Sequence, residues 1–415
     1  MSKGRGWFAG LLAVVGPGIF MIGYNIGTGS VTTMAVAGAE YGMSLLWPLV
    51  FACGFTGVML MAFGKYTAIT GETSIYAIRR HFHPALALFL VVGLTANMIG
   101  SIMGVMALCA EATSEWIAIL LPQMPHIPTL VPALIYCLLI YVLFLRGRYA
   151  VFEKFLAVMV GLMGVCFFLS MLLVIPDPLE VLRGMAPGIP TQGNAALIIA
   201  GMAGTTLAPV VIVARSHIIK QKGWGVAELA TQQRDAIVAA ILIFVIGASV
   251  MACAAGTMYV QGVTIDSAID MMQTLAPIAG SLAASVFVFG FLAAGLSSQF
   301  PNAIFIPWLI RDYRNEELSR LTGKFKLLMA ACVAIGLVVP IFGGRPIIVM
   351  IASQALNTFN MPLLTFCIWR LLNRPEVVGE HVNSRMFNVA ILVTLVFALC
   401  MSVLSFIGLR ELFGM

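Results

Sequence analysis

Apolar runs of roughly the length needed to cross a bilayer recur along almost the whole chain, separated by short charged segments. Eleven such runs can be marked: 9–40, 44–68, 84–111, 128–146, 150–175, 195–220, 235–260, 278–310, 324–342, 347–373 and 385–409. This pattern excludes an ordinary soluble fold. Hydrophobic residues make up 61% of the 415 residues, charged residues only 10%, and the mean hydropathy is +1.02. Soluble domains are about a quarter charged. In lipid a backbone must satisfy its own hydrogen bonds, so the expected fold is all-α. The N-terminal stretch shows no secretory signal pattern.

The basic residues predict a topology. If the N-terminus is cytoplasmic, nineteen of the 23 Lys and Arg fall in inner segments, three (Arg183, Arg345, Arg410) in outer ones, and Lys65 within the second span. That bias is a positive-inside signal. It predicts an odd number of spans, an outer C-terminus and residence in the cell (plasma or inner) membrane. It also accounts for the net charge of +6 without a nucleic-acid partner. The eight cysteines lie in apolar runs without a CxxC pair and are read as small buried hydrophobes, not as disulfides or a zinc site.

Two runs are interrupted in a way that lipid-facing helices avoid. The first contains Gly27-Thr28-Gly29-Ser30; the sixth contains Gly204, Thr205 and Thr206, then Ala208-Pro209. Proline removes a backbone donor and clashes with the preceding turn. Breaks five spans apart are the pattern of an inverted five-plus-five repeat, with a binding site where the broken helices face each other at the midplane. The expectation is one transmembrane domain over 1–415: repeat one near 9–175, repeat two near 195–373, and an extra helix near 385–409. The plainer reading of each break is a packing feature, since glycine lets helices approach closely.

Several stretches resemble one family. "GPGIF" followed by "GTGSVTTMAVAGAEYGMSLLW" resembles the first helix of the Nramp divalent-metal transporters, where GPG precedes DPGN, AG-x-x-YG and LLW. "GTTLAPVVIVARS" resembles the family's G-A-T-V-M-P-H segment, "FLAAGLSSQ" its eighth helix and "SQALNTFNMPLL" its tenth. The resemblance implies a LeuT-type fold of about eleven helices, with helices 1 and 6 broken, that works by alternating access as a secondary active transporter, not an enzyme. It also marks a departure. The family's metal-binding Asp falls on Gly27, its Asn on Ser30, its Met on Ala208 and the following His on Val210. Thr205 falls where a carbonyl is lent to the metal, the proton-route carboxylates fall near Gly104 and Ala107, and Gln354 is kept.

The substitutions bear on the cargo. Charge within a membrane costs several kcal/mol, and no carboxylate lies near either break in sequence. The remaining ligands are neutral: Thr28, Ser30, Thr205, Thr206, Gln354 and open carbonyls. The Gly27–Ser30 loop resembles the Gly-x-Gly loop of amino-acid carriers in the wider superfamily, where amides at a helix N-terminus grip a carboxylate. The expected cargo is therefore a small organic carboxylate or amino-acid-like solute bound by amides around Thr28 to Ser30. The alternative is a divalent cation, Mg²⁺ or Mn²⁺-like, as in the parent family. Ser297 and Ser298 in the eighth span form a possible cation site for a coupling ion, Na⁺ or H⁺, in a symport. No cofactor is implied, and partners reduce to the small-molecule or ion substrate and the lipid bilayer.

Other polar residues have plainer readings. Arg215 and His217 end the sixth span, Arg215 as a snorkelling anchor or an inner-gate partner. Asn97 suggests helix–helix hydrogen bonding, Lys65 an interface, and His81 and His83 a loop. Trp7, Trp47, Trp116 and Trp308 suit membrane interfaces. A channel lacks a repeated selectivity motif, an enzyme lacks convergent acids or a nucleophile with a base, and a receptor that binds without moving solute is a further rival.

Overall fold

The structure is a computed structural model, described over residues 25–146, 149–174, 177–265, 267–268, 270–271, 283–316 and 322–414. The start of the first run with Trp7 and Gly16-Pro17-Gly18, residues 278–282 of the eighth, and Arg148 and Arg320 lie outside the described residues.

In chain order the helices are α1 (Thr28–Tyr41), α2 (Leu46–Thr70), α3 (Ser74–His81), α4 (Pro84–Leu120), α5 (Leu130–Arg146), α6 (Tyr149–Val174), α7 (Pro178–Gly184), α8 (Ala195–Thr206), α9 (Pro209–Lys222), α10 (Leu229–Thr257), α11 (Ala283–Arg314), α12 (Gly323–Ile335), α13 (Val338–Phe342), α14 (Pro346–Asn357), α15 (Met361–Leu372), α16 (Pro375–Val378) and α17 (Arg385–Phe413). Among the described residues seven stretches are long and apolar enough to cross a membrane: α2, α4, α8 with α9, the α10 region, α11, α14 with α15, and α17.

The helix partners match between the two halves, as an internal repeat requires. The first broken span (α1) lies on the seventh (α10), and the sixth (α8 and α9) lies on the second (α2). The third (α4) packs on the tenth (α14), and the eighth (α11) packs on the fifth (α6). The second and seventh spans face each other, as do the third and eighth. The described parts of both broken spans are enclosed by this frame: residues 25–39 and 195–217 are all buried. The frame itself faces outward, as Phe89 of α4, Leu173 of α6 and Phe289 of α11 show by exposures of 63, 63 and 56%.

Glycine seats both broken spans against a neighbour's backbone. A Cβ on Gly38 would lie 2.3 Å from the Met251 carbonyl oxygen, and one on Gly204 would lie 1.9 Å from the Gln354 carbonyl oxygen. Helix backbones this close leave room for no side chain at all.

Three expectations change. The tenth run is not one helix; it turns at Thr358–Asn360 between α14 and α15, so a third break lies beside the first two. Pro362 at the start of α15 gives the reason: it cannot donate into the preceding turn. The ninth run bends at Gly336–Leu337, and α4 runs on to Leu120, past the expected end at 111. Trp47 is buried and donates from Nε1 to the Gly188 carbonyl at 2.9 Å.

Candidate substrate site

Residues of both breaks line the same space. Gly27 is extended (φ −86°, ψ 179°) and caps α1 with its carbonyl, which accepts the amides of Ser30 and Val31, both at 3.1 Å. In the sixth span, Leu207 ends α8 and Ala208 is extended (φ −71°, ψ 117°) ahead of Pro209. The usual helical donor to the Thr205 carbonyl would be the amide of residue 209; as proline, it has none. The Thr206 carbonyl is satisfied from elsewhere: Asn25 Nδ2 donates to it at 3.1 Å, and Thr56 Oγ1 lies 2.9 Å away. One carbonyl thus ties the two breaks together.

A cavity of about 50 Å³ opens between them, room for a few waters at roughly 10–15 Å³ each. Gly27, Gly29, Ser30, Thr205, Ala208, Gln354 and Ser298 line it, while Thr28, Thr206 and Ser297 do not. The hydroxyls of Thr28 and Thr206 are buried without a hydrogen-bond partner. Those of Ser297 and Ser298 each donate to the Ala294 carbonyl at 2.9 Å. Gln354 Oε1 accepts from Asn357 Nδ2 at 3.1 Å.

The lining also holds amides that the sequence reading had passed over or assigned elsewhere. Asn25, Asn302 and Asn357 face the cavity with Ser101, and Asn97, expected to bond between helices, lines it with its Nδ2 unpartnered. A signal existed for Asn25, a polar residue two places before the break, and for Asn357, just before a Pro-containing turn. Asn97 and Asn302 could be placed only by the rotation of α4 and α11. No acid, imidazole or thiol lines the cavity. Among the described residues no group of three or more His, Cys, Asp or Glu could hold a metal ion.

The amide cradle expected at Thr28–Ser30 is less open than its glycines suggest. The Ser30 amide is spent on Gly27. Gly29 lines the cavity and also admits α14: a Cβ there would meet Met350 Cε at 2.3 Å and Gln354 Nε2 at 2.7 Å. The same helix lies close to Gly104, where a Cβ would lie 2.8 Å from Met350 Sδ and 3.1 Å from Met350 Cα.

The charge missing from the cavity is found farther along α9. Arg215 is fully buried and pairs with Asp235 of α10; its Nη2 also donates to the Gln232 carbonyl at 2.9 Å. The snorkelling reading of Arg215 is therefore corrected: the side chain points into the protein. His217 Nε2 lies 3.5 Å from Asp312 of α11, whose other oxygen accepts from Thr73. Ser216 meets Ser74 of α3 at 3.1 Å. His81 is the last residue of α3, 3.2 Å from Glu72, and His83 Nδ1 caps α4 by accepting the Ala85 amide at 3.2 Å. Lys65 donates to Asn383 at 3.0 Å.

The family model described as natural resistance-associated macrophage protein-like, Nramp, matches residues 18–408. The chain belongs to the Nramp family. Nramp proteins are membrane transporters, not enzymes, and the fold here is theirs, the LeuT-type arrangement. A divalent metal cation transporter MntH of Erwinia tasmaniensis is 27% identical over 392 residues, covering 91% of this chain and 89% of that protein. The MntH of Bacillus subtilis is 22% identical over 399 residues, covering 94% and 90%. Structures of the manganese transporter of Eremococcus coleocola match at 16% identity. One bound to an aromatic bis-isothiourea compound has a TM-score of 0.75 over 98% of this chain and 87% of that one. A mutant has a TM-score of 0.76 over 100% and 90%.

Proposed function

We propose that this Nramp protein carries a hard divalent cation, Mg²⁺ before Mn²⁺, across the membrane by alternating access. The cavity carries the proposal: it is small, and lined by neutral oxygen and amide groups and by Thr205, whose carbonyl has proline at its helical donor position. The names of the relatives support a divalent cation over the organic carboxylate expected from the Gly-x-Gly loop. The Ser30 amide, bonded to the Gly27 carbonyl, is one donor fewer for that carboxylate.

Neutral oxygens do not compensate two charges, so the ion keeps part of its water, as Mg²⁺ does. Ala208 supplies no thioether, which weakens selection for softer transition metals. The helix ends set where the cation rests. The N-terminus of α1 is a positive dipole end, whereas the C-terminus of α8 is negative and presents the Thr205 carbonyl. The α8 side is the favourable one, as in related carriers where half-helix C-termini coordinate cations. Ser297 and Ser298 are the candidate site for a coupling sodium ion, since both are hydroxyls on α11 and Ser298 lines the cavity.

Uptake of Mg²⁺ and Mn²⁺ into proteoliposomes, in sodium or in choline at fixed pH, tests both parts. Saturable Mg²⁺ uptake exceeding Mn²⁺ uptake is expected, with loss of rate in choline. Uptake of a small carboxylate with no divalent flux would overturn the cargo; equal rates in choline would overturn sodium coupling alone.

A further inference from the structure

The lost aspartate leaves a question of which side chain on the first span now meets the cargo. We infer that Asn25, two residues before the break, is that ligand, through Oδ1. The inference rests on the divalent-cation reading above.

Asn25 is 4% exposed, lines the cavity, and has no hydrogen-bond partner for Oδ1. Buried acceptors in native proteins are almost always paired. The orientation of this amide is set by its other end: Nδ2 donates to the Thr206 carbonyl at 3.1 Å. Turning the amide over would set Oδ1 against that carbonyl, two acceptors face to face. Oδ1 is therefore held as an acceptor in a cavity with no neighbouring donor satisfying it. A carboxylate cargo would repel it. A cation, or water already bound to one, completes it.

Thr205 also lines the cavity, and the helical donor position for its carbonyl is Pro209, which has no amide hydrogen. Asn25 and Thr205 come one from each broken span, and the Thr206 carbonyl links the two spans. The ligand set is thus redrawn from the family's pattern. The carboxylate at position 27 has no successor there, because a Cβ on Gly27 would lie 2.1 Å from Ser298 Oγ. A neutral carboxamide from the preceding turn takes over the contact, and it binds without leaving a buried charge when the cargo departs. That trade favours a weakly held, hydrated ion that must also be released.

The test is a titration of MgCl₂ against the full-length protein in detergent, read as saturable thermal stabilisation. Asn25→Ala is expected to raise the half-saturating concentration at least tenfold. Asn25→Asp keeps the acceptor oxygens, adds charge, and is expected to lower it and to raise preference for Mn²⁺ and Ca²⁺. Thr56→Val removes a neighbour of the Thr206 carbonyl without touching the cavity; its melting temperature falls while half-saturation stays within twofold. Asn25→Ala within twofold of wild type would show that Oδ1 holds only water and would overturn the inference while the divalent-cation reading stands. If Asn25→Ala does not fold, Asn25→Asp decides: unchanged or weaker Mg²⁺ binding overturns it. Wild-type protein that shows no divalent saturation removes the cargo reading and this ligand with it.

Discussion

The two ends of one helix solve opposite electrostatic problems. At its start, α9 borders a cavity lined by neutral groups, two of which, Asn25 Oδ1 and Asn97 Nδ2, are unsatisfied. Two turns later the same helix carries Arg215 and His217 into a buried network with Asp235 and Asp312. A full charge in low dielectric must be paired, and such a pair is tolerated only with close geometry and further hydrogen bonds. Arg215 has these from Asp235 and the Gln232 carbonyl. A permanent pair suits a place where helices must hold together. Neutral acceptors suit a place that cargo must both enter and leave, because a permanent buried charge would be stranded at each release. The comparison teaches that this chain concentrates its binding charge in the cargo and its structural charge in the frame.

The strongest way to break that contrast is to unpair the frame. Arg215→Met should strand Asp235 and cost about 3–5 kcal/mol, seen as a large drop in melting temperature in detergent. Arg215→Met with Asp235→Leu should recover much of it. Stability unchanged in the single variant would mean that the pair is not structural. Next in size is the seat of the sixth span. Gly204→Val forces a side chain against the Gln354 backbone and should cost about 1–3 kcal/mol or more from overpacking, with transport falling along with the melting temperature.

A change within the cavity should act on selectivity instead. Ala208→Met adds a thioether beside the break and should raise the ratio of Mn²⁺ to Mg²⁺ uptake about tenfold, or about 1.4 kcal/mol. A ratio that does not move would place the cargo away from Ala208.

The smallest effect belongs to a charged cluster outside the spans. Burial pushes the Glu72 carboxyl up, but hydrogen bonds from Tyr66, Arg80 and His81 outweigh it and leave it below the ordinary range. A carboxyl depressed on folding stabilises above its unfolded pKa, and that contribution is lost as pH falls through the lower folded value. Arg80 is largely exposed, so screening keeps the effect slight. The melting temperature should fall slightly more on acidification in wild type than in Glu72→Gln; identical profiles would remove Glu72 from the account.

Much of the fold was legible before any coordinates. Run length and scarcity of charge imposed an all-helical membrane protein, because a backbone in lipid must close its own hydrogen bonds. Gly27-Thr28-Gly29-Ser30 and Ala208-Pro209 marked two breaks, since glycine and proline act on the chain locally. The third break at Thr358–Asn360 had a comparable signal in Pro362, but the surrounding apolar run masked it.

The site was legible only in part. Sequence placed Gly27, Thr205 and Ala208 near one another through the repeat, added Gln354 through the family resemblance, and named the family ligands that are missing. It could not tell that Gly29 also admits Met350 and Gln354 of α14, that Arg215 turns inward to Asp235, or that Asn25 ends with a bare oxygen at the cavity. Composition, run length and backbone breaks are properties of a segment and its solvent, so the chain determined them by itself. Which face of a helix meets a cavity, and which neighbour satisfies a polar atom there, depends on the rotation and approach of several helices at once. Those were decided only when α1, α4, α8, α11 and α14 packed around the same space.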